Sequence, residues 1–377
     1  MIYADHAATS PMSPAARAAY AKAAETLWAN PSSQYGPGRE AKSALEGARA
    51  ETARCLGAGS REILFTSGGS EADNQALLTG ARIGERAGKR HLISTKIEHP
   101  AVLRTLEALE DRGFFVTLLD VDGLGRVDPG QVEAALRPDT ALVSVMLANN
   151  EVGTLEPVRE IAALCRKQGV LCHTDAVQAV GQIPVDVQAL GVDLMSLSGH
   201  KFGGPKGVGA LYCRRGIQAA PLIRGGGQER GKRAGTEDLP GILAMTAALT
   251  EAVSRLEENR AYLTGLRDRL IRGILEIPGA RLNGDPVNRL PGNAHFSFSR
   301  VEGETLLLLL DRAGICASAG SACSSGSLEP SHVLLAMRVP GDYRGGSLRL
   351  TLGPENTEAE VGHIILEVKK AVSRLQK

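Results

Sequence analysis

Short apolar runs alternate along the first two thirds of the chain with longer segments that carry alanine, leucine and charged residues at helical spacing. Ser13-Pro14 supplies an N-cap and a first helical residue, which predicts an alanine-rich helix ending near Asn30-Pro31. A second helix is expected to follow Gly38 and to stop at Gly57. The run Ile63-Leu64-Phe65-Thr66 then predicts a short buried strand that feeds Ser67-Gly68-Gly69-Ser70-Glu71 and a further helix. Strand, glycines and helix N-terminus together form an arrangement suited to anions. Further strands are expected at His91–Ser94, Phe114–Leu119, Ala141–Leu147, Val170–Thr174, Asp193–Leu197 and Val208–Tyr212. Apolar runs of this length, separated by helical spacing, predict an α/β fold with a large, mainly parallel sheet covered on both faces.

The pattern changes after Leu239. One long helical stretch is expected from there to about Leu275, leading out of the large unit. Alternating strands follow at Ala294–Phe298 and Ser347–Leu352, with helical runs at Glu302–Arg312 and Thr357–Leu375, which suggests a smaller α+β domain. At 377 residues the chain exceeds the size at which one hydrophobic core stops growing. The division expected is a large domain over residues 15–250 and a small domain built from residues 1–14 and 251–377.

Charge adds an exclusion. With 43 Lys and Arg against 42 Asp and Glu, the balance gives no sign of nucleic acid or a membrane surface as partner. Neither a basic leader with an apolar core nor a run long enough to cross a bilayer occurs, so a soluble, cytoplasmic protein is expected. The segment Gly226-Gly227-Gln228-Glu229-Arg230-Gly231-Lys232 imitates a phosphate loop, but Arg233 stands where the magnesium-binding hydroxyl belongs and no strand leads in. The basic run Arg224–Arg233 lacks the interleaved aromatics of a nucleic-acid surface.

The six cysteines include no C-x-x-C pair, which argues against a disulfide framework or zinc site. Most lie in apolar runs, and Cys316 in Ile315-Cys316-Ala317 reads as packed in a strand. Cys323 differs. It sits in Ser318-Ala319-Gly320-Ser321-Ala322-Cys323-Ser324-Ser325-Gly326-Ser327, where small residues suggest an exposed thiol on a mobile loop.

The strongest chemical candidate is Lys201, in Ser198-Gly199-His200-Lys201-Phe202-Gly203-Gly204 between a strand and a glycine-rich turn. A lysine amine becomes a covalent catalyst by forming a Schiff base with a carbonyl, and pyridoxal phosphate is the commonest such partner. That cofactor needs an acceptor at its ring nitrogen, donors for its phosphate and a stacking surface. Asp175, at the end of a predicted strand, Ser198 with His200, and His99 are candidates for these parts. A glycine turn carrying a surface lysine accounts for the Lys201 segment by itself equally well.

Together, Ser196–Gly207, Asp175-Ala176-Val177-Gln178, Glu98-His99 and the Cys323 loop resemble the cysteine desulfurases of the NifS/IscS type, in the class V aminotransferase group of fold-type I pyridoxal-phosphate enzymes. The likeness runs from Tyr3-Ala4-Asp5 to Arg349-Leu350-Thr351-Leu352-Gly353. It implies a homodimer that takes sulfur from L-cysteine, leaves L-alanine, and carries the sulfur as a persulfide on Cys323 to an iron-sulfur scaffold or another acceptor protein. It also implies that Lys201 holds the cofactor and moves protons at the substrate Cα. Asp175 would pair with the ring nitrogen, Gln178 and Asn150 would lie at the phenolic oxygen, and His99 would stack on the ring as a catalytic partner. Gly69, Ser70, Ser198 and His200 would bind the phosphate, with Thr236 reaching it from the neighbouring subunit. Arg349 would clamp the substrate carboxylate, and Asn30 and Asn150 would line the substrate site. No intrinsic metal is implied, although the Cys323 thiolate is able to ligate a cluster iron transiently.

Two positions depart from the family pattern: Tyr35 stands where a histidine is common, and Ser70 where a threonine is. The rival functions on the same fold are a selenocysteine lyase, an aminotransferase or decarboxylase, and a non-catalytic partner in cluster assembly. Cys323 argues against the second and the pair Lys201 and Asp175 against the last.

Overall fold

The computed structural model describes residues 1–320 and 330–376. Its strands, in chain order, are β1 (Ile2–Tyr3), β2 (Ile63–Thr66), β3 (His91–Thr95), β4 (Phe115–Leu119), β5 (Thr140–Ser144), β6 (Leu171–Asp175), β7 (Leu194–Ser198), β8 (Gly209–Cys213), β9 (Ala280–Asn283), β10 (Asn293–Phe298), β11 (Ile315–Cys316) and β12 (Ser347–Thr351). Seven of these form one sheet in the order β2-β8-β7-β6-β5-β3-β4. Only β8 runs antiparallel to its neighbours. The central strands are buried along their whole length because helices cover both faces. At the sheet's edge, β4 exposes Phe115.

Several helices start on identifiable caps. Pro14–Thr26 starts on Ser13, whose hydroxyl accepts the Ala16 N–H, and Pro100–Glu110 starts on His99. The first helix stops at Thr26, short of Asn30, and the second begins at Gly36 rather than after Gly38. The stretch expected as one helix from Leu239 to Leu275 is two, Leu239–Ser254 and Leu256–Leu275, broken at Arg255. The break lets each helix serve a different core. Ile242, Met245 and Leu249 pack into the core beneath the large sheet. Leu263, Leu266 and Leu270 instead pack with Phe296, Phe298 and Leu350 of the antiparallel sheet β12-β10-β9.

Two segments cross between these cores. Leu290, Val333, Leu334 and Met337 lie late in the chain yet join the larger core. No element is expected at these positions from the sequence. The N-terminus pairs β1 with β11 and bridges Asp5 to Thr351. It then runs to the Lys201 turn, where Ser10 N–H donates to the His200 carbonyl and Ser13 N–H to that of Gly203, both at 2.8 Å.

The phosphate-loop imitation is a structural corner. Glu229 and Arg230 adopt left-handed φ of 45° and 59°, an uncommon conformation for side-chain-bearing residues. Glu229 is held there by pairing: the Arg49 guanidinium donates to both Glu229 carboxylate oxygens at 2.7 and 2.8 Å, with both residues buried, and Arg230 is tied separately to the Arg61 carbonyl at 2.8 Å. The Glu229→Ala variant leaves Arg49 buried without its counter-charge and is expected to lose about 3–5 kcal/mol of stability. Glu46→Ala, which removes an exposed partner of the same arginine, should change stability by less than about 1 kcal/mol. Thermal unfolding of the two variants checks the contrast, and equal melting temperatures would contradict it.

Candidate active site

The site lies at the carboxyl ends of β6 and β7, where the crevice of an open α/β sheet takes ligands. Asp175 ends β6 and pairs in register with Ser196 of β7. Ser198 ends β7, and the next turn, Gly199–Lys201, brings the lysine back over the strand ends. Lys201 Nζ donates to the carbonyls of Ala7 and Ala8 at 2.5 and 2.9 Å. Gln178 Nε2 donates to the same Ala7 carbonyl at 3.0 Å. A small cavity lined by His6, Ala7, Gln178, Lys201 and Thr351 opens beside them.

Burial sets the protonation of the groups around Lys201. Desolvation pushes the buried Asp175 carboxyl up, opposed by the nearby His99 and by the Val177 N–H, which donates to Asp175 Oδ1 at 2.9 Å. A cation seated against this carboxylate would reverse the push, which is the relation a pyridinium nitrogen needs. Desolvation also lowers His99, with Asp175 pulling the other way. His99 Nδ1 accepts the Ala101 N–H at 3.1 Å, so the neutral ring carries its proton on Nε2. His200 is pushed down to about 4 by burial and by Lys201, and its Nδ1 lies 3.2 Å from Thr9 Oγ1.

The glycines meet a steric requirement. Helix Gly69–Arg86 begins on Gly68, at φ 153°, with no side-chain cap, so its first N–H groups are available to an anion. A Cβ on Gly69 would stand 2.6 Å from Val177 Cγ2, and one on Gly209 would stand 2.7 Å from Gly68 Cα. Ser198 closes this corner, with its Cβ 3.5 Å from the same hypothetical atom on Gly69. Ser70 is exposed at the helix start.

Arg349, on β12, forms the other end. Its Nη1 donates to the Asn150 carbonyl at 2.9 Å and its Nη2 to Asp5 Oδ1 at 3.0 Å. Arg349 Nε is buried without a hydrogen-bond partner among the described residues, as a group awaiting a carboxylate would be. Asn150 thus enters through its backbone carbonyl. The site meets a pyridoxal phosphate's needs on its own terms: a lysine at the strand ends, a buried carboxylate, an uncapped helix N-terminus and an arginine with an unused donor.

Not every expected residue converges here. Asn30 is exposed and its side chain accepts the Ser32 N–H at 2.8 Å, closing a local turn. Thr236 is exposed, and so is Tyr35, ahead of helix Gly36–Cys55. Cys323 lies outside the described residues. Cys316 is half-buried in β11 rather than fully packed, since β11 is a two-residue edge that pairs, among the described residues, with β1 alone.

Several participants carried no sequence signal of their own. The Ala7 and Ala8 carbonyls are backbone groups of small residues, and Asp5 reads as an ordinary strand-flanking acid. A buried polar layer beneath the site was also missed. His173 lies between Ser144 Oγ at 2.8 Å and Ser196 Oγ at 3.0 Å, and Asp73 is 3.7 Å from its Nε2. A histidine and an acid inside apolar runs were the available clue. Glu98 is fully buried, accepting from Thr95 Oγ1 at 2.7 Å and from the Met146 N–H at 3.0 Å.

These are the parts of a fold-type I pyridoxal-phosphate enzyme. The chain belongs to the class-V aminotransferase family, whose model matches residues 2–364. It is 48% identical over 375 residues to a cysteine desulfurase IscS of Methanosarcina thermophila, covering 100% of this chain and 93% of that protein. Among solved structures, a NifS-like protein superposes with a TM-score of 0.93 at 38% identity, with 99% of each chain covered. SspA in complex with cysteine matches with a TM-score of 0.83 at 33% identity, covering 95% of this chain and all of that one.

Glu98 gives the site a measurable pH signature. Burial, with a smaller push from Asp175, raises its carboxyl from 4.5 to about 8. Between those values the folded chain keeps a proton that the unfolded chain has released, so stability falls as pH rises through this window. Glu98→Gln lacks the titration. Its stability relative to the wild type is expected to improve by roughly 1 kcal/mol per pH unit between about pH 5 and 8. Urea titrations at several pH values measure this, and a difference that does not change with pH would mean that Glu98 is already ionised.

Proposed function

We infer that this chain is a pyridoxal-phosphate-dependent cysteine desulfurase, which takes sulfur from L-cysteine, releases L-alanine and carries the sulfur on Cys323. The observation that carries the reading is the pairing of Ser318 with Arg349, whose backbones exchange hydrogen bonds of 2.6 and 3.3 Å. The chain leading to the cysteine therefore departs from the arginine that would hold an amino-acid carboxylate. Chain length alone keeps the Cys323 Cα within about 17 Å of the Ser318 Cα. The identity with curated desulfurases over the whole chain and the cysteine complex of the SspA structure support the same substrate.

Lys201 would hold the cofactor, with Asp175 at its ring nitrogen, Gln178 and Asn150 near its phenolic oxygen and His99 on its ring. Gly69, Ser70, Ser198 and His200 would take its phosphate. When bound, pyridoxal phosphate supplies a carbonyl that condenses with an amine and a ring that stabilises negative charge developing at the substrate Cα. Asp175, as a buried carboxylate, keeps the ring nitrogen protonated. Lys201, held near the strand ends by the Ala7 and Ala8 carbonyls, moves the proton at Cα. Arg349 orients the substrate through its carboxylate. The Cys323 thiolate attacks the substrate sulfur, a sulfur–sulfur bond forms, and the carbon–sulfur bond breaks with its electron pair left on carbon. That carbon takes up one proton to become the methyl group of alanine, so cysteine and enzyme thiol become alanine and enzyme persulfide with no outside oxidant.

A homodimer fits the exposure of Thr236, assigned to the neighbouring subunit's phosphate, and of Trp28 and Tyr35. Asn30 is proposed to line the substrate site. We take residues 15–250 as the cofactor domain and residues 1–14 with 251–377 as the small domain. A cytoplasmic setting, an iron-sulfur scaffold or other thiol carrier as acceptor, and no nucleic-acid role complete the reading. No helix among the described residues is long and apolar enough to cross a membrane.

Two experiments test it. Borohydride treatment of the yellow protein should fix the cofactor's mass on Lys201, because a Schiff base is reducible; a mass on any other lysine overturns the assignment. Cys323→Ala should lose persulfide and alanine formation by roughly 100-fold or more while retaining the cofactor's absorbance, and Cys316→Ala should stay largely active. Single turnover with L-cysteine, read by mass spectrometry, decides the point. Normal alanine release by Cys323→Ala would indicate elimination at the cofactor instead, as in a lyase acting on cysteine or selenocysteine.

A further inference from the structure

Arg349 is buried to 2% exposure, so its orientation is fixed by what it touches rather than by solvent. Two of its nitrogens are occupied, Nη1 by the Asn150 carbonyl and Nη2 by Asp5 Oδ1. The Asp5 carboxylate is itself tied, because Ser318 Oγ donates to its Oδ2 at 2.8 Å. Ser318 is in turn locked to the Arg349 backbone by the paired hydrogen bonds between them. Serine, aspartate and arginine thus form a closed ring of contacts. The donors left over are Nε, which has no partner among the described residues, and one N–H on each Nη.

We propose that Asp5 is a positioning residue for the substrate carboxylate, holding the plane of the Arg349 guanidinium so that its unused donors meet the carboxylate as a pair. The proposal rests on the reading of Arg349 as the carboxylate clamp. Bidentate recognition depends on the angle of a planar group. A guanidinium held at one end only would still carry its charge but would present its donors at variable angles. Asp5 supplies the second hold, and the Ser318 hydroxyl keeps Asp5 from rotating. The role is orientation rather than charge, since a second anion beside Arg349 by itself opposes the binding of a carboxylate. An asparagine can preserve the geometry. Its amide oxygen can accept from Nη2 and its amide nitrogen can donate to Ser318 Oγ.

Steady-state kinetics of the holoenzyme separate orientation from mere structural support. Asp5→Ala should raise KM for L-cysteine by about tenfold, as expected when a bidentate clamp loses its alignment, with kcat within about twofold. Asp5→Asn should restore KM to within about threefold of the wild type. Ser318→Ala, which removes only the bond to Oδ2, should give an intermediate rise and serves if Asp5→Ala does not fold. The second readout is L-cysteine methyl ester, which lacks the carboxylate: kcat/KM for the ester should be the same in Asp5→Ala, Ser318→Ala and wild type. An unchanged KM for L-cysteine, an equal loss on the ester, or failure of asparagine to rescue overturns the proposal. A wild-type protein that makes no alanine from L-cysteine would overturn the desulfurase reading instead, a result distinct from any of these.

Discussion

The segment from Ala4 to Ser13 is the constraint on which the site depends. It joins a strand of the small sheet to the lysine turn of the large one without adding a regular element to either. Thr351 N–H donates to the Ala4 carbonyl at 2.7 Å and Ala7 N–H to Thr351 Oγ1 at 2.9 Å. A few residues later Ser10 and Ser13 donate to the carbonyls of His200 and Gly203. Between these anchors Asp5 meets Arg349, and the Ala7 and Ala8 carbonyls meet Lys201. The lysine and the arginine come from opposite ends of the second half of the chain, and a stretch of small residues sets their separation. Ala7 is buried, so a larger side chain there would displace its carbonyl and both donors bound to it, Lys201 and Gln178.

Much of this was legible in the sequence, for identifiable reasons. The large-sheet strands follow from unbroken apolar runs because strands covered on both faces have no polar side to confuse the pattern. Lys201 and Asp175 stood out because each is a charged residue at the end of such a run. The break at Arg255 was not legible. Helical periodicity continues through Ser254 and Leu256, and only the presence of two separate cores divides the helix. Likewise, Val333 and Leu334 lie in a short helix that carried no expectation, and their membership in the larger core depends on a return crossing that local pattern does not encode.

The site residues divide along the same line. Side chains with distinctive chemistry were readable, whereas groups that act through the backbone, such as Ala7, Ala8 and the Asn150 carbonyl, were not. Asn30 and Thr236 came from resemblance alone, and a single protomer leaves both exposed. Asp5 illustrates a third case. It was visible as a residue but had no assignable partner until β12 brought Arg349 beside it, across most of the chain's length.

Buried polar atoms without partners among the described residues concentrate in and around this region: Asp73 Oδ1, Glu98 Oε2, Glu151 Oε1, His295 Nε2 and Arg349 Nε. Each such atom, left dry, costs about 1–3 kcal/mol, a burden a fold would shed by substituting apolar residues if packing were the only demand. Their positions argue for a different demand. Burial and the neighbouring Asp175 push the Asp73 and Glu98 carboxyls up, so these two hold protons and leave Asp175 as the acid that a cation over the layer would meet. Arg349 faces His295 across the β10–β12 register, and burial pushes that histidine down to about 3, so it adds no second positive charge beside the arginine. A negative end, at Asp175, is therefore separated from a positive end, at Arg349, as the proposed ring-nitrogen and carboxylate contacts require. Ligands that satisfy both ends bind only the folded chain and stabilise it through that binding, which links the cost of the site to its occupancy.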